Sequence, residues 1–374
     1  MKNKDKLIIF LPKFLYSGAG NSVFSLINFL DKEDFEIHVL CLGRCDYKKS
    51  FNKKIIFHEL KDQSLLWSLP KIFFLIKRIR SFSKRTIIYS NHHYANIYSI
   101  LIKLFLNKVY VIGVERTCIF ELSSYFSVKD FFKKNFIKIM VHLLYPYANS
   151  IISNTLYTKN EIRNFSKLNV KHVYPPSIKY IKPFKGKKIN KDINILWVGR
   201  LSFEKGVSDL IESINFLNIK ANIFILGHGY QYLEIKNLMK KQKNKKIKIH
   251  LKKYVKNTIK YYRKSHILVN TSFYEGSNNS IIEAINNDLA VIASDTPGGN
   301  KELLKTNLFG LLYKKNNPKD LANKLHNIIS KYNQFQIKIK RHKKLLNNFL
   351  SLYSNKNSEK IIKRVGKTKI NNLF

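Results

Sequence analysis

Two carboxylates, Glu275 and Glu283, flank seven residues in the segment Glu275-Gly-Ser-Asn-Asn-Ser-Ile-Ile-Glu283-Ala. The Gly/Ser/Asn stretch after the first reads as a loop. Ser280-Ile-Ile-Glu283 fits a capping box, which predicts a helix start near Ser280. A short apolar strand follows and ends in a turn, Val291-Ile-Ala-Ser-Asp295-Thr-Pro-Gly298-Gly299. A helix N-terminus offers backbone N–H groups and a partial positive charge to a phosphate, and carboxylates can grip hydroxyls. Strand, loops and helix tip therefore describe a place for a diphosphate joined to a polyhydroxylated group, which suggests a nucleotide-sugar donor. Each piece also has an ordinary reading. Glu283 can serve only its own helix backbone, Glu275 can be a solvated loop carboxylate, and the turn after Asp295 can be a plain connection.

The cations come from Trp197-Val-Gly199-Arg200-Leu-Ser-Phe-Glu-Lys205-Gly206-Val207. Gly199 lets the backbone turn off a strand, and Arg200 and Lys205 then sit on a strand-to-helix loop. Arg binds phosphate as a fork and Lys as a mobile point charge. Alone, a basic loop in so Lys-rich a chain is expected by chance. Leu226-Gly227-His228-Gly229 is another strand-end loop, whose glycines would let the chain pass close to a nucleotide. Nearer the N-terminus, Tyr16-Ser-Gly18-Ala-Gly20-Asn-Ser follows the first strand, and Asn91-His92-His93-Tyr94 follows another. Either imidazole could orient a sugar hydroxyl or assist proton transfer; His93 is preferred slightly over His92. No Asp-x-Asp follows an apolar strand. The expected site therefore has no metal and no cofactor, and Arg200, Lys205 and the helix N-terminus must carry the leaving-group charge.

These loops need a scaffold that brings strand ends together. Apolar, β-branched runs at 7–11, 36–42, 55–59, 86–90, 109–114 and 150–153 alternate with helical patterns such as 22–30 and 94–106. A second series begins at 193–198 and continues with strands at 222–226, 247–251, 267–270, 290–294 and 310–313, and helices at 207–217, 231–241 and 280–286. Such alternation argues for parallel sheets covered by helices. Between the series, Pro175, Pro176, Pro183, Gly186 and a Lys cluster read as a linker. The expected division is an N-terminal domain over 1–176, a linker over 177–192, a C-terminal domain over 193–354, and a basic helix over 355–374 that packs back on the first domain. The fold class is α/β, two Rossmann-like doubly wound domains facing across a cleft. Ligands of doubly wound sheets bind at the carboxyl ends of strands, where all of the motifs fall.

At 374 residues, with 45% hydrophobic residues, the chain has material for two cores. Its formal charge of +44 raises nucleic acid or an anionic membrane as partners. No recognition-helix, zinc-finger or RNA-motif pattern accompanies the charge, which is spread over both halves, so nucleic acid is not expected. Three cysteines, Cys41, Cys45 and Cys118, make no disulfide framework and suit a reducing compartment. The first residues begin like a signal peptide but read better as a strand. No uninterrupted apolar stretch is long enough to span a membrane. The stretches 67–85 and 126–147 interleave aromatic and basic residues, which suits docking on an anionic membrane surface or, equally, an ordinary amphipathic helix with a solvated Lys face. The expected place is cytoplasmic, peripheral on the inner face of the plasma membrane.

Together the motifs resemble the retaining glycosyltransferases of the GT-B fold, family 4 (the glycosyl transferases group 1 domain). The likeness is specific over about residues 193–313, through VGRLSFEKGVSDLIES, LGHGY, FYEGSNNSIIEA and VIASDTPGGNKELL, and looser in the first domain, through YSGAGNSVFSLINFL, FEIHVLCLG, SNHHYAN and LLYPYANSIISNT. It implies that Arg200 and Lys205 hold the donor diphosphate, that Asn279 and Ser280 present N–H groups to it, and that Glu283 binds ribose hydroxyls. It also implies that Glu275 meets the donor sugar at the reacting face, with Gly18, Gly199 and Gly227 lining the donor and His93 assisting. A UDP-linked hexose or N-acetylhexosamine is the implied donor. The implied acceptor is a lipid-linked saccharide of surface polysaccharide assembly, glycosylated with retention of configuration. Two departures stand out: Ser17-Gly18 replaces the family's glycine pair, and Asp288-Leu-Ala290 replaces its Gly-x-Pro. Competing readings are a soluble acceptor, a nucleic-acid-binding protein, and a non-catalytic module of the same fold.

Overall fold

The computed structural model describes residues 4–30, 35–43, 45–60, 65–81, 83–125, 127–176, 182–190, 192–253, 255, 257–304, 309–351 and 355–365. The chain forms two compact units: residues 1–176 with 352–374, and residues 177–351.

In the first unit, seven parallel strands are β1 (Asp5–Phe10), β2 (Phe35–Cys41), β3 (Ile56–Glu59), β4 (Thr86–Asn91), β5 (Val109–Glu115), β6 (Ser150–Ser153) and β7 (Lys171–His172). They are ordered β3-β2-β1-β4-β5-β6-β7. The connecting helices are α1 (Gly18–Leu30), α2 (Leu65–Ser81), α3 (His93–Phe105), α4 (Val128–Leu144) and α5 (Leu156–Ser166). Alternate strand residues feed two cores, as a pleat of period two requires. Ile8, Phe10, Ile88 and Val111 pack under α2, α3 and α4 through Ile76, Ile100 and Val141. Leu7, Ile9, Ile87 and Val114 pack on the other side against Val23 and Ile27 of α1. Apolar residues on both faces of a strand are what a sheet covered on both sides demands.

The second unit repeats the plan. Strands β8 (Ile193–Val198), β9 (Ala221–Leu226), β10 (Ile247–Lys252), β11 (Ile267–Asn270), β12 (Ala290–Asp295) and β13 (Gly310–Lys314) are ordered β10-β9-β8-β11-β12-β13. The helices are α6 (Val207–Ser213), α7 (Tyr232–Lys241), α8 (Ile259–Lys264), α9 (Asn279–Asn286), α10 (Gly299–Leu304), α11 (Pro318–Ser330) and α12 (Tyr332–Ser351). In each unit the strand order reverses beside the first strand, at β1/β4 and at β8/β11. Loops there diverge and leave room for a ligand.

The single helix expected over 207–217 is shorter. It ends at Ser213 and tightens into a 3-10 turn, Ile214–Phe216. The Asn244 side-chain amide, from the loop before β10, takes the carbonyls of Ile214 and Leu217 at 3.1 and 2.8 Å and so terminates the helix. Of the linker, residues 177–181 and 191 lie outside the described residues. The remainder has no regular secondary structure and is fastened to the second unit. Lys182 and Lys185 N–H donate to Asn286 Oδ1 and Asp288 Oδ2. Lys187 Nζ donates to the carbonyls of Tyr262, Arg263 and Ser265, each at 2.7 Å. Burial lowers the Lys187 pKa to about 8 despite the nearby Asp288. The last described helix, α13 (Asn355–Arg364), lies on the first unit: Asn355 Nδ2 donates to Ser25 O at 3.1 Å, and Arg85 Nη1 donates to Val365 O at 2.5 Å. Ile362 is fully buried there with Leu7 and Val23.

Candidate functional site

The second unit's candidates gather around the carboxyl ends of β8, β11 and β12. Lys205 ends a 3-10 turn, Phe203–Lys205, and its Nζ lies 2.6 Å from Glu275 Oε1. Glu275 Oε1 also accepts from Ser272 Oγ at 2.6 Å. Both partners are mostly covered, with side-chain exposures of 22% for Lys205 and 12% for Glu275. The pair forms because the loops that carry it are tied by backbone. Phe273 N–H donates to Glu204 O at 2.8 Å, and Thr271 Oγ1 donates to Lys205 O at 2.7 Å. The Thr271 hydroxyl in turn accepts from the indole of the buried Trp197 at 3.0 Å. A tryptophan inside the sheet thus fixes the position of a lysine at its edge.

The turn after β12 is tied to the same place. Glu275 N–H donates to Pro297 O at 3.2 Å and Gly299 N–H to Gly276 O at 3.0 Å. Gly298 has φ +113°, and a Cβ there would stand 1.6 Å from Glu275 O. Only glycine permits this close approach. The two segments that the sequence set side by side are therefore one structure, with Glu275 at its centre.

The remaining cation, Arg200, is exposed. It pairs with Glu204 at 3.0 Å, and Glu204 also accepts from Ser202 Oγ at 2.6 Å. Gly199 and Gly227 meet each other: a Cβ on Gly227 would stand 2.0 Å from Gly199 O. The glycine at 227 was expected to admit a nucleotide. In the structure it also packs on the chain's own loop after β8, held by Gly199 N–H to Leu226 O at 3.1 Å.

Helix α9 starts at Asn279, with Asn278 as its N-cap. Asn279 and Ser280 occupy its first turn, where N–H groups have no intrahelical acceptor and the dipole is positive. The capping box expected between Ser280 and Glu283 does not form. Ser280 Oγ donates to Asn278 Oδ1 at 2.7 Å, and Glu283 takes a hydrogen bond from Tyr262 of α8. Burial raises the Glu283 pKa to about 7, although Tyr262 and Lys182 pull it down. Burial and Glu283 together hold the Tyr262 hydroxyl well above its ordinary range.

In the first unit, Gly18 opens α1 and is exposed. Ser17, in place of a family glycine, accepts from Gly20 N–H at 3.1 Å and so caps the helix. His92 is half-buried with φ +75°. His93 is 3% exposed, its Nδ1 2.7 Å from Oε2 of the buried Glu115. Burial lowers the basicity of the His93 ring, but Glu115, with Glu121 and Glu161 behind it, outweighs that and raises its pKa. Among the described residues no group of three or more His, Cys, Asp or Glu side chains could hold a metal ion.

The profile of the Glycosyl transferases group 1 family matches residues 179–363, which include all of the second unit's candidates, and that of Glycosyltransferase Family 4 matches residues 16–176, which include Gly18 and His93. The chain belongs to the family 4 glycosyltransferases of GT-B fold. It is 30% identical to an uncharacterized glycosyltransferase of Methanocaldococcus jannaschii over 67% of this chain and 66% of that protein. It is 25% identical over 84% of its length, and 87% of the relative's, to a Campylobacter jejuni enzyme, N-acetylgalactosamine-N,N'-diacetylbacillosaminyl-diphospho-undecaprenol 4-alpha-N-acetylgalactosaminyltransferase. Among solved structures, Anabaena HepE in complex with UDP and glucose superposes with TM-score 0.74 at 14% identity, over 96% of this chain and 99% of that one. A sucrose-phosphate synthase from Thermosynechococcus elongatus superposes with TM-score 0.78 at 13% identity over the same shares. These two likenesses speak to fold.

Sequence reasoning about this glycosyltransferase missed a buried amide ladder. Asn300 Nδ2 donates to Asn270 Oδ1 at 3.0 Å, and Asn278 Nδ2 donates to Asn300 Oδ1 at 3.0 Å. All three side chains are buried. The ladder ties the end of β11, the α9 N-cap and the start of α10 together. Asn-rich composition hid the signal: Asn at a strand's last position and at a helix's second position is unremarkable in a chain with so many of them.

Proposed function

We propose that this glycosyltransferase moves a hexose or N-acetylhexosamine from its UDP derivative to a lipid-linked saccharide, with retention of anomeric configuration, in surface-polysaccharide assembly. The observation that carries the reading is the Lys205–Glu275 pair at the β8/β11 switch point. A lysine and a carboxylate already neutralising one another, mostly covered, can exchange that contact for a donor that brings both a diphosphate and hydroxyls. Lys205 then meets the diphosphate, joined by the exposed Arg200 and the first-turn N–H groups of Asn279 and Ser280. Glu275 meets hydroxyls of the sugar, and Glu283 those of the ribose. These donors supply, without metal, the charge that the departing diphosphate needs. The acceptor hydroxyl attacks C1 on the face from which UDP leaves, the C1–O bond to the diphosphate breaks, and the hydroxyl proton passes to the departing oxygen.

Support for UDP comes from HepE, whose complexes hold UDP and UDP-glucose. Support for the acceptor comes from the two Campylobacter jejuni relatives, named as N-acetylgalactosaminyltransferases acting on diphospho-undecaprenol-linked sugars. An Erwinia amylovora relative is named for amylovoran biosynthesis. Among the described residues no helix is long and apolar enough to cross a membrane, so the proposed setting is peripheral, on the inner face of the plasma membrane. The reading rests on the second unit and gives no part to Gly18 or His93.

A melting-temperature screen with UDP-, GDP- and dTDP-sugars tests it. A ligand at a hundred times its Kd stabilises the native state by about 2.7 kcal/mol. UDP-sugars should raise the melting point and the others should not. If no nucleotide sugar moves it, the reading fails.

A further inference from the structure

One layer of the first unit carries an apolar surface that the unit itself leaves uncovered. Helices α2, α3 and α4 lie side by side over one face of the sheet, their inner residues, among them Ile76, Ile100 and Val141, buried in a shared core. On the outward side of α4, Val128, Phe132, Phe136, Ile139 and Leu143 follow at steps of four, four, three and four, which places them in one stripe. Their exposures are 75, 68, 63, 56 and 55%. On α2, Trp67 and Phe74 are 80 and 64% exposed. They alternate along that helix with Lys71 and Arg78, also exposed. Apolar side chains in an unbroken row, rather than scattered singly, mark a surface that meets something other than water.

The charge around the row decides what that is. Lys129 and Lys133 are exposed beside the α4 stripe. Asp130 is the one acidic residue in the sequences of α2, α3 and α4, and it sits 2.8 Å from Lys134. A second copy of a chain with formal charge +44 would set basic rim against basic rim. An anionic lipid surface is complementary on both counts: rings and aliphatic side chains enter the boundary of the acyl region while lysine stems carry their charges out to the headgroups.

We propose that the outer face of α2 and α4 is the surface by which this enzyme lies on an anionic bilayer, with Phe132 and Phe136 inserted and Lys129 and Lys133 on the headgroups. The proposal deepens the reading of a membrane-borne acceptor and rests on that reading only for its purpose. The α4 helix runs in the membrane plane.

The protein carries its own reporter. Of its two tryptophans, Trp197 is 2% exposed and Trp67 80%, so an environment-dependent emission shift belongs to Trp67. With phosphatidylcholine vesicles containing phosphatidylglycerol, the full chain should co-sediment, its emission should move to the blue, and brominated acyl chains should quench it. Pure phosphatidylcholine should do much less. Phe132→Ser with Phe136→Ser should lower the partition coefficient by about tenfold or more. Lys129→Gln with Lys133→Gln should weaken binding and flatten its salt dependence. Melting curves check that each variant is folded, and the UDP-sugar melting shift should be the same in all of them. Vesicle binding undiminished by the Phe pair, or binding without any change at Trp67, overturns the proposal. So does a dimer in sedimentation velocity that the Phe pair abolishes while vesicles bind nothing. A persisting UDP-sugar shift in those cases leaves the donor reading intact.

Discussion

Glu283→Gln should make the enzyme more stable and worse at binding its donor, and both effects should depend on pH in a way fixed by one carboxyl group. Burial carries the Glu283 pKa from 4.5 to about 7. The sign follows from which form folding favours. Below pH 4.5 the group is protonated in both folded and unfolded states and costs nothing. As pH rises through 7 the folded protein must ionise a covered carboxyl, so stability is lost. At about 1.4 kcal/mol per pH unit the gap amounts to about 3 kcal/mol above neutrality. Glutamine keeps the shape and still accepts from Tyr262, but it has no charge to bury. Its melting temperature should match wild type near pH 4 and exceed it by about 6 °C or more at pH 8.5. Donor binding should go the other way. The ionised carboxylate accepts from two ribose hydroxyls much more strongly than a neutral acid or amide does, and its fraction rises from about a tenth at pH 6 to about nine-tenths at pH 8. Calorimetric affinity for UDP-glucose, whose diphosphate does not titrate in this range, should therefore climb close to tenfold in wild type and stay flat and weak in the variant. A residue that only supports the fold would show the stability effect without the binding effect. Equal melting curves at pH 8.5 would refute the electrostatic argument. A pH-dependent affinity surviving in Glu283→Gln would refute the ribose contact.

Three further perturbations probe the rest of the site. Lys205→Ala should lower sugar transfer by about a hundredfold to a thousandfold while the fold persists, with partial rescue by Lys205→Arg; transfer within twofold of wild type would dissociate the lysine from the diphosphate. Gly298→Ala places a Cβ 1.6 Å from Glu275 O at a φ of +113°, so it should cost about 2–3 kcal/mol in denaturant unfolding and transfer should fall with it. An unchanged unfolding midpoint would mean that the β12 turn is not fastened to Glu275. Asn300→Ala empties the middle of the amide ladder and leaves the Asn270 and Asn278 side chains without it; it should destabilise by about 1–3 kcal/mol, and a neutral result in chemical denaturation would count against the ladder.

How much of this was legible depended on how local the cause was. Twelve of the strands could be read because each is an apolar, largely β-branched run, and the runs at 193–198 and 267–270 coincide with β8 and β11, whereas the two-residue edge strand β7, Lys171-His172, has no apolar run and was missed. The placement of Lys205 and Glu275 in one region was legible, since a cation and a carboxylate at strand ends of a doubly wound sheet converge by topology alone. Their direct pairing was not, because it depends on Trp197 holding Thr271 and Thr271 holding the Lys205 carbonyl, a chain of contacts spread over seventy-odd residues. The capping box failed for the same reason. Its local pattern was sound, but Tyr262 from another helix offered Glu283 a partner, and the Ser280 hydroxyl turned to the Asn278 side chain instead of the helix backbone.

Glu283 shows what that substitution of partners accomplishes. Had it capped its own helix, it would have been an ionised group on a solvated turn, spending its oxygens on backbone N–H groups. Paired instead with a tyrosine in a covered position, it is held near neutrality of charge and leaves acceptor capacity unspent at physiological pH. A carboxyl group that folding has made expensive to ionise gains most from a ligand that arrives with hydroxyls to donate, because the ligand then relieves a cost the apo-protein bears alone. Lys205 and Glu275 differ, since each already has the other as its partner at 2.6 Å. Stability given up at Glu283, beside loops fixed by buried tryptophan, threonine and asparagine contacts, is the arrangement expected where binding rather than folding set the residue choice.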